Sequence, residues 1–273
     1  MIRPTNISDF KPITTTLSAI QPGWFQSTVA FFALTTLFLV ALQIDERLIF
    51  GVSVWSKPLK FALSLGVYFG TLLFFARLLP TGHLHSGRHR AIAMSLIFMA
   101  AFEMTYIAIQ AALGETSHFN NTTAFNSMMY SLMGIGAVWL TVGLLWLAVL
   151  IAKHNDWSEP LVLAILLGLG ISAALGGGFG AYLGGQDSHW VEAMSTDANG
   201  LWLFNWSNNG GDLRVAHFFG LHAMQAIPMF TLLLPHILKR TAKRIAIVVF
   251  SVTYAALCVY TFAQALEGQP FIT

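Results

Sequence analysis

The chain has 273 residues, of which 56% are hydrophobic and 10% are charged, whereas an ordinary soluble domain carries about 25% charged residues. This balance excludes a water-soluble globular protein and a disordered one. A formal net charge of +2 is too small for a surface that follows nucleic-acid phosphates, and the single cysteine, Cys258, excludes an internal disulfide.

Seven stretches are long and apolar enough to cross a membrane as helices, because about 20 mostly apolar residues span the ~30 Å of hydrocarbon. Charged residues, proline or clusters of Gly, Asn and Asp bound each stretch, as is typical of helix ends. We predict an all-α bundle of seven transmembrane helices over residues 25–266, with a polar segment at 1–24 and a short tail at 267–273. The polar start predicts no cleaved signal peptide. Numbered in chain order, spans 1 to 7 are Phe25–Gln43, Pro58–Leu79, Ala91–Leu113, Asn126–Ala152, Leu161–Leu183, Leu213–Pro235 and Ile245–Leu266.

The distribution of Lys and Arg predicts the orientation, because cytoplasmic loops retain basic residues. The N-terminus and the loops after spans 2, 4 and 6 fall on one side, which holds ten of the fourteen Lys and Arg residues. We therefore expect a cytoplasmic N-terminus and an outward C-terminus. The ten residues are Arg3, Lys11, Arg77, Arg88, Arg90, Lys153, Lys239, Arg240, Lys243 and Arg244.

Span 2 is preceded by Lys57 and contains Lys60, both near its outward end. Lysines in this position could simply extend to the membrane interface. The alternative is that Lys60 faces the bundle, where it attracts an anion or pairs with Glu103 of span 3.

Span 3 carries a polar face, because Glu103 and Gln110 are seven residues apart. An ionisable group inside a span costs roughly 2.5–3.5 kcal/mol and therefore usually faces the bundle interior. At ~1.5 Å per residue, Glu103 lies about 15 Å below the outward end of span 3, and His222 lies about 14 Å below that of span 6. Equal depth predicts that Glu103 and His222 pair, with Gln110 nearer the outer mouth. His118, in the loop after span 3, either adjoins this pocket or is a solvated loop histidine.

Span 5 contains a row of glycines at Gly176, Gly180 and Gly184. Such a row allows another helix to approach closely. It predicts tight packing, either within the bundle or between two copies of the chain; contact of a ligand with the bare backbone is the alternative.

The loop between spans 5 and 6, residues 184–212, is long and carries Trp190, Trp202, Phe204 and Trp206. A loop of this length is often a functional lid. Tryptophans near a membrane boundary also form interfacial belts, so both interpretations stay open.

Span 6 follows Asp212, which we predict to cap its N-terminus. Arg214 and His217 lie on one face and would place a positive charge and an imidazole near the outer mouth. His222 and Gln225 form a second such pair, but His217 and His222 are roughly 140° apart on a regular helix. A π-bulge near Gly220 would bring the two histidines to one side.

Three stretches resemble blocks of an uncharacterised bacterial family of polytopic membrane proteins. They are Trp55–Ala62, Thr116–Asn120 and Gly211–Ala223, and they cover about a tenth of the chain. The resemblance implies a multi-span protein of the bacterial inner membrane and assigns no activity.

Three functions follow from these patterns. The first is a metal ion or haem bound in the outer half of the bundle, since imidazole and carboxylate suit zinc, copper and iron. The second is a proton-coupled transporter or binding protein for a small or anionic molecule, and the third is a structural subunit. No P-loop, HExxH or GxSxG motif points to an enzyme class. The predicted metal ligands are His118, His217 and His222, and the predicted ligand-binding residues are Lys60, Glu103, Gln110, Arg214 and Gln225.

Overall fold

The computed structural model describes residues 17–272, so most of the predicted N-terminal segment lies outside the described residues. The described part is mostly helical, with two short antiparallel strand pairs in loops. The helices are α1 (Leu17–Ile20), α2 (Pro22–Ile44), α3 (Ser56–Ala76), α4 (Thr81–Leu84), α5 (Gly87–Leu113), α6 (Ala124–His154), α7 (Pro160–Ile171), α8 (Gly177–Gly184), α9 (Leu213–Leu233) and α10 (Arg240–Leu266), with a π-helical turn at Ser172–Gly176 between α7 and α8. The strands are β1 (Leu48–Ile49), β2 (Val52–Ser53), β3 (Trp190–Val191) and β4 (Gly211–Asp212).

Local capping explains where several helices begin. The side chains of Ser86 and Thr123 accept hydrogen bonds from backbone N–H groups in the first turns of α5 and α6. Asp212 caps α9 by accepting from the Arg214 N–H at 3.0 Å, which confirms the predicted cap. Gly114 ends α5 with a φ of 76°, a conformation that glycine adopts without steric cost.

Six helical stretches are long and apolar enough to cross a membrane: α2, α3, α5, α6, the stretch from α7 through α8, and α10. The protein is therefore an integral membrane protein. The sequence prediction of seven spans also includes α9. That helix has 21 residues but is not among the six, and it carries Arg214, His217 and His222.

Contacts between loops define two ends of the bundle. At one end, the Asn155 side chain donates to the Leu78 carbonyl, and Arg240 forms an ion pair with Glu159 at 2.9 Å. We call this the basic end, because it holds eight of the twelve Lys and Arg residues within 17–272. At the opposite end, Arg47 donates to the Ala112 carbonyl at 2.9 Å. The loops after α2, α5, α8 and α10 meet there, so consecutive long helices run antiparallel.

Helix α9 packs lengthwise against α7, α8 and α10. A Cβ atom on Gly176 would lie 2.6 Å from the Leu221 backbone nitrogen, and one on Gly180 would lie 2.6 Å from the His217 ring. The predicted glycine row is therefore used inside the chain at these two positions. Gly184 lies farther out, near Tyr130. Association between two copies of the chain stays a prediction. Gly176 and Gly180 would not form that interface, because they already pack against α9 of the same chain.

Helix α9 has no π-bulge near Gly220, so His217 and His222 are not brought to one side. Helix α9 is a regular α-helix, and the π-helical turn belongs to the facing stretch, at Ser172–Gly176. Gly176 packs directly on Gly220. The Ser172 hydroxyl donates to the Leu221 carbonyl and accepts from the Met224 N–H, so the turn fastens the two helices together.

Candidate functional site: a polar cluster under the long loop

Polar and charged side chains gather where the loop 184–212 covers the ends of α3 and α9. We call this group the polar cluster. Three members, Lys57, His118 and His217, are surrounded by protein yet keep partial solvent accessibility. The full cluster comprises Lys57, Lys60, His118, His189, Asp197, Asp212, Arg214 and His217.

Arg214 joins the loop to the start of α9. Its guanidinium donates to Asp212 at 2.6 Å, to Asp197 at 2.7 Å and to the Asn205 carbonyl at 2.8 Å. The sequence predicted that Arg214 attracts an anionic ligand. The structure instead gives it two carboxylates as partners, so its charge is already balanced and its role is to fix the loop.

Asp197 and His189 form the loop side of this network. Burial alone would raise the pKa of Asp197, but hydrogen bonds from His189 and Arg214 outweigh it and lower that pKa to about 2. Burial lowers the pKa of His189 in spite of its contact with Asp197 at 3.3 Å. At neutral pH the network thus contains an ionised Asp197 and a neutral His189.

Lys60 also holds the loop and does not pair with Glu103. Its ammonium group donates to the Phe204 carbonyl at 2.8 Å and to the Asn205 side-chain oxygen at 2.9 Å. Both acceptors are neutral. The Trp206 side chain, 5% exposed, packs below the same turn against Phe204 and Phe218, so it is a packing residue of the loop rather than part of an interfacial belt.

Lys57 is the cluster member that sequence patterns indicated only weakly. Within residues 17–272 it forms no hydrogen bond or ion pair, although Asp197 is close enough to attract it and Arg214 and Lys60 are close enough to repel it. Both carboxylates of the cluster, Asp197 and Asp212, accept from Arg214 instead. The only hint in the sequence is that Lys57 and Lys60 are three residues apart and thus share a helix face.

His118 lies in the loop between α5 and α6, beside the rings of Phe61 and Tyr130. Burial, together with the charges of Lys57 and of two other histidines, holds its pKa well below the usual range. The predicted ligand residue Gln110 does not face the cluster directly. Its side chain donates to the Thr116 carbonyl at 3.1 Å and so fixes the loop that carries His118.

His217 is held in one orientation by α8 and the π-helical turn. Its Nδ1 atom lies 2.9 Å from the Gly176 carbonyl oxygen. Because a carbonyl oxygen only accepts, Nδ1 carries the proton and Nε2 keeps its lone pair. The absence of a side chain on Gly180 makes room for the ring.

Gln225 contacts α3, and His222 contacts Gln225. His222 Nδ1 donates to the Gln225 side-chain oxygen at 3.2 Å, and the Gln225 amide donates to Thr71 at 3.0 Å. Gln225 therefore orients His222. The two predicted metal ligands on α9 have different backbone and side-chain partners, as their spacing on a regular helix requires.

The predicted pair of Glu103 and His222 is not formed. Glu103 is 5% exposed, its Oε1 atom has no hydrogen-bond partner, and it lies against Gly136 of α6. The two residues lie on helices with different neighbours, because α5 packs mainly on α6 and α3, whereas α9 packs on α7, α8 and α10.

Within residues 17–272, no group of three His, Cys, Asp or Glu side chains is arranged to hold a metal ion. No protein-family model matches the chain, and no curated protein or solved structure is similar to it. These results are consistent with the resemblance to an uncharacterised family.

Proposed function

We propose that the chain crosses the membrane seven times, with its N-terminus in the cytoplasm, and that the polar cluster faces outward. Two features support this topology. Helix α9 runs antiparallel to the stretch from α7 through α8 and to α10, over the same length, and both of these are apolar enough to cross. The end opposite the cluster holds most of the Lys and Arg residues, as cytoplasmic loops do.

We further propose that the cluster binds a small anion bearing a carboxylate or phosphate group. The observation that carries this proposal is Lys57, a basic side chain of the polar cluster that forms no hydrogen bond or ion pair within the described residues. An ammonium group surrounded by protein is stabilised by an acidic partner, because hydrogen bonds between ionised groups are the stronger ones. A carboxylate or phosphate oxygen would supply that partner, and the free Nε2 of His217 and the ring of His118 would contact its hydroxyl or protonated oxygen.

Anion binding can be measured by thermal unfolding of the detergent-purified protein in sodium acetate or sodium phosphate, with sodium chloride at equal ionic strength as reference. A ligand of the folded state raises the Tm as its concentration rises. We expect such a rise with at least one of the two anions, and its loss in Lys57→Gln. Lys153→Gln, at the basic end, should keep it. A rise that survives Lys57→Gln, or no rise with either anion, would contradict the proposal.

A haem or metal ion is a second candidate, supported by the orientation of His217. Metal-binding histidines usually donate their other ring N–H to a carbonyl or carboxylate, as His217 does to Gly176. His217, through its Nε2 atom, would hold the metal, and Lys57 would offer a partner for a carboxylate of a haem. Metal analysis and the absorbance spectrum of freshly purified protein test this candidate, and the absence of both stoichiometric metal and a Soret band would remove it.

Proton-coupled transport has weaker support than binding. It depends on the predicted pair of Glu103 and His222, and these residues have separate surroundings. Uptake of a small or anionic molecule into proteoliposomes that depends on a pH gradient would support proton-coupled transport.

A further inference from the structure

The turn Leu201–Trp206 of the long loop has a strained backbone. The Leu201 N–H donates to the Trp206 carbonyl at 2.8 Å, and the Asn205 N–H donates to the Leu201 carbonyl at 2.7 Å. Leu203 and Asn205 have φ angles of 71° and 56°, in the left-handed region that side chains disfavour. Such a conformation persists only where its surroundings hold it.

Two cations hold this turn, and they differ in what else they bind. Arg214 donates to the Asn205 carbonyl, but it also has Asp197 and Asp212 as charged partners. Lys60 forms no ion pair within residues 17–272, and its hydrogen-bond acceptors are the Phe204 carbonyl and the Asn205 side chain of this same turn. The contact through Lys60 is therefore the one that a stronger acceptor can displace.

Lys57 and Lys60 lie three residues apart on the same face of α3, so an anion bound to Lys57 is within reach of Lys60. A carboxylate or phosphate oxygen is a stronger partner for an ammonium group than a neutral carbonyl or amide oxygen. We propose that the bound anion and the turn Leu201–Trp206 compete for Lys60, so that anion binding releases the turn. This inference rests on the proposed anion site and adds its regulation.

Competition has a reciprocal consequence, because coupling between two binding events acts equally in both directions. Weakening the contact of the turn with Lys60 should tighten anion binding. The variant Asn205→Gly removes one of the two acceptors and keeps the left-handed backbone of the turn, which glycine adopts readily. Asn199→Gly is a matched control, because Asn199 has a φ of 58° in the same loop and its side chain does not contact Lys60.

We expect Asn205→Gly to bind the anion about threefold to tenfold more tightly than the unmodified protein, and Asn199→Gly to bind it unchanged. The affinity is read from the Tm titration with acetate or phosphate. Equal affinities in Asn205→Gly and the unmodified protein, or equal tightening in both variants, would contradict competition for Lys60.

Hydrogen exchange of the full-length protein gives a direct readout of the turn. We expect acetate or phosphate to speed exchange of the amides at 201–206, and this response to be lost in Lys60→Gln. A loop that closes over its ligand would show slower exchange instead. If the anion raises the Tm through Lys57 while exchange at 201–206 slows or stays constant, the anion site stands and the competition is wrong. If no anion raises the Tm, the proposed function itself fails.

Discussion

Asp197 shows how a single residue acquires its role only in the folded chain. In the sequence it is one of four acidic residues in a long polar loop. In the structure its carboxylate accepts from Arg214 and His189, which tie the loop to α9. The residue types of Arg214 and His217 indicated a polar site, but Asp197, one of the two carboxylates that pair with Arg214, lies 17 positions away in an irregular segment.

The variant Asp197→Asn tests this network. A carboxyl group whose pKa falls from 3.8 to about 2 on folding stabilises the folded state above pH ~4, and this contribution is lost as the pH falls towards 2. Its size is on the order of 2 kcal/mol. We expect Asp197→Asn to lower the Tm at pH 7 and to flatten the fall in Tm between pH 4 and 2.

Asp187→Asn is the control for this prediction, since Asp187 is an exposed acidic residue of the same loop. It should unfold like the unmodified protein at every pH. A Tm profile of Asp197→Asn that parallels the unmodified protein through the acid range would show that Asp197 does not contribute through its charge.

At the scale of the helices, the glycine row of span 5 decides how α9 is held. Gly176 faces backbone atoms of α9, whereas a Cβ atom on Gly178 would meet nothing within 4 Å. Glycine spacing in the sequence predicted close helix packing. It did not identify the partner helix, because the row is equally suited to a helix of the same chain and to one of a second copy.

The pair Gly176→Ala and Gly178→Ala separates packing from helix propensity. Overpacking against a fixed backbone costs about 1–3 kcal/mol, so we expect Gly176→Ala to lower the Tm. Gly178→Ala should leave it unchanged or raise it, because alanine favours a helix by roughly 0.5–1 kcal/mol over glycine. Thermal unfolding in the same detergent measures both. Equal losses in the two variants would mean that Gly176 is not in close contact with α9.

At the scale of the whole molecule, the two ends of the bundle differ in charge. Eight Lys and Arg residues of the described chain lie at one end, and four lie at the other, three of these within the polar cluster. Most cations at the second end therefore belong to the polar cluster, whereas those at the first are in loops and at helix ends, as in the proposed cytoplasmic surface.

Reporter fusions test the proposed topology. A reporter after Thr273 should be outward, and one inserted at Arg240 should be cytoplasmic, because α10 separates them. A third reporter in the loop 184–212 should be outward, on the opposite side of α9 from Arg240. Finding the reporters at 184–212 and Arg240 on one side would show that α9 does not cross.

The sequence by itself determined the membrane class, the helices and most of their ends. Apolar length, proline and capping residues act within a few positions of the chain, so Asp212 was predicted as a cap from its neighbours alone.

Tertiary structure decided which polar side chains contact one another. Equal depth suggested that Glu103 meets His222, but depth does not specify which helices touch, and Glu103 packs on Gly136 instead. Lys57 stands out only because the loop surrounds it and gives its neighbours Lys60 and Arg214 all the nearby acceptors. Which polar groups are satisfied depends on contacts between distant segments, and no local pattern encodes them.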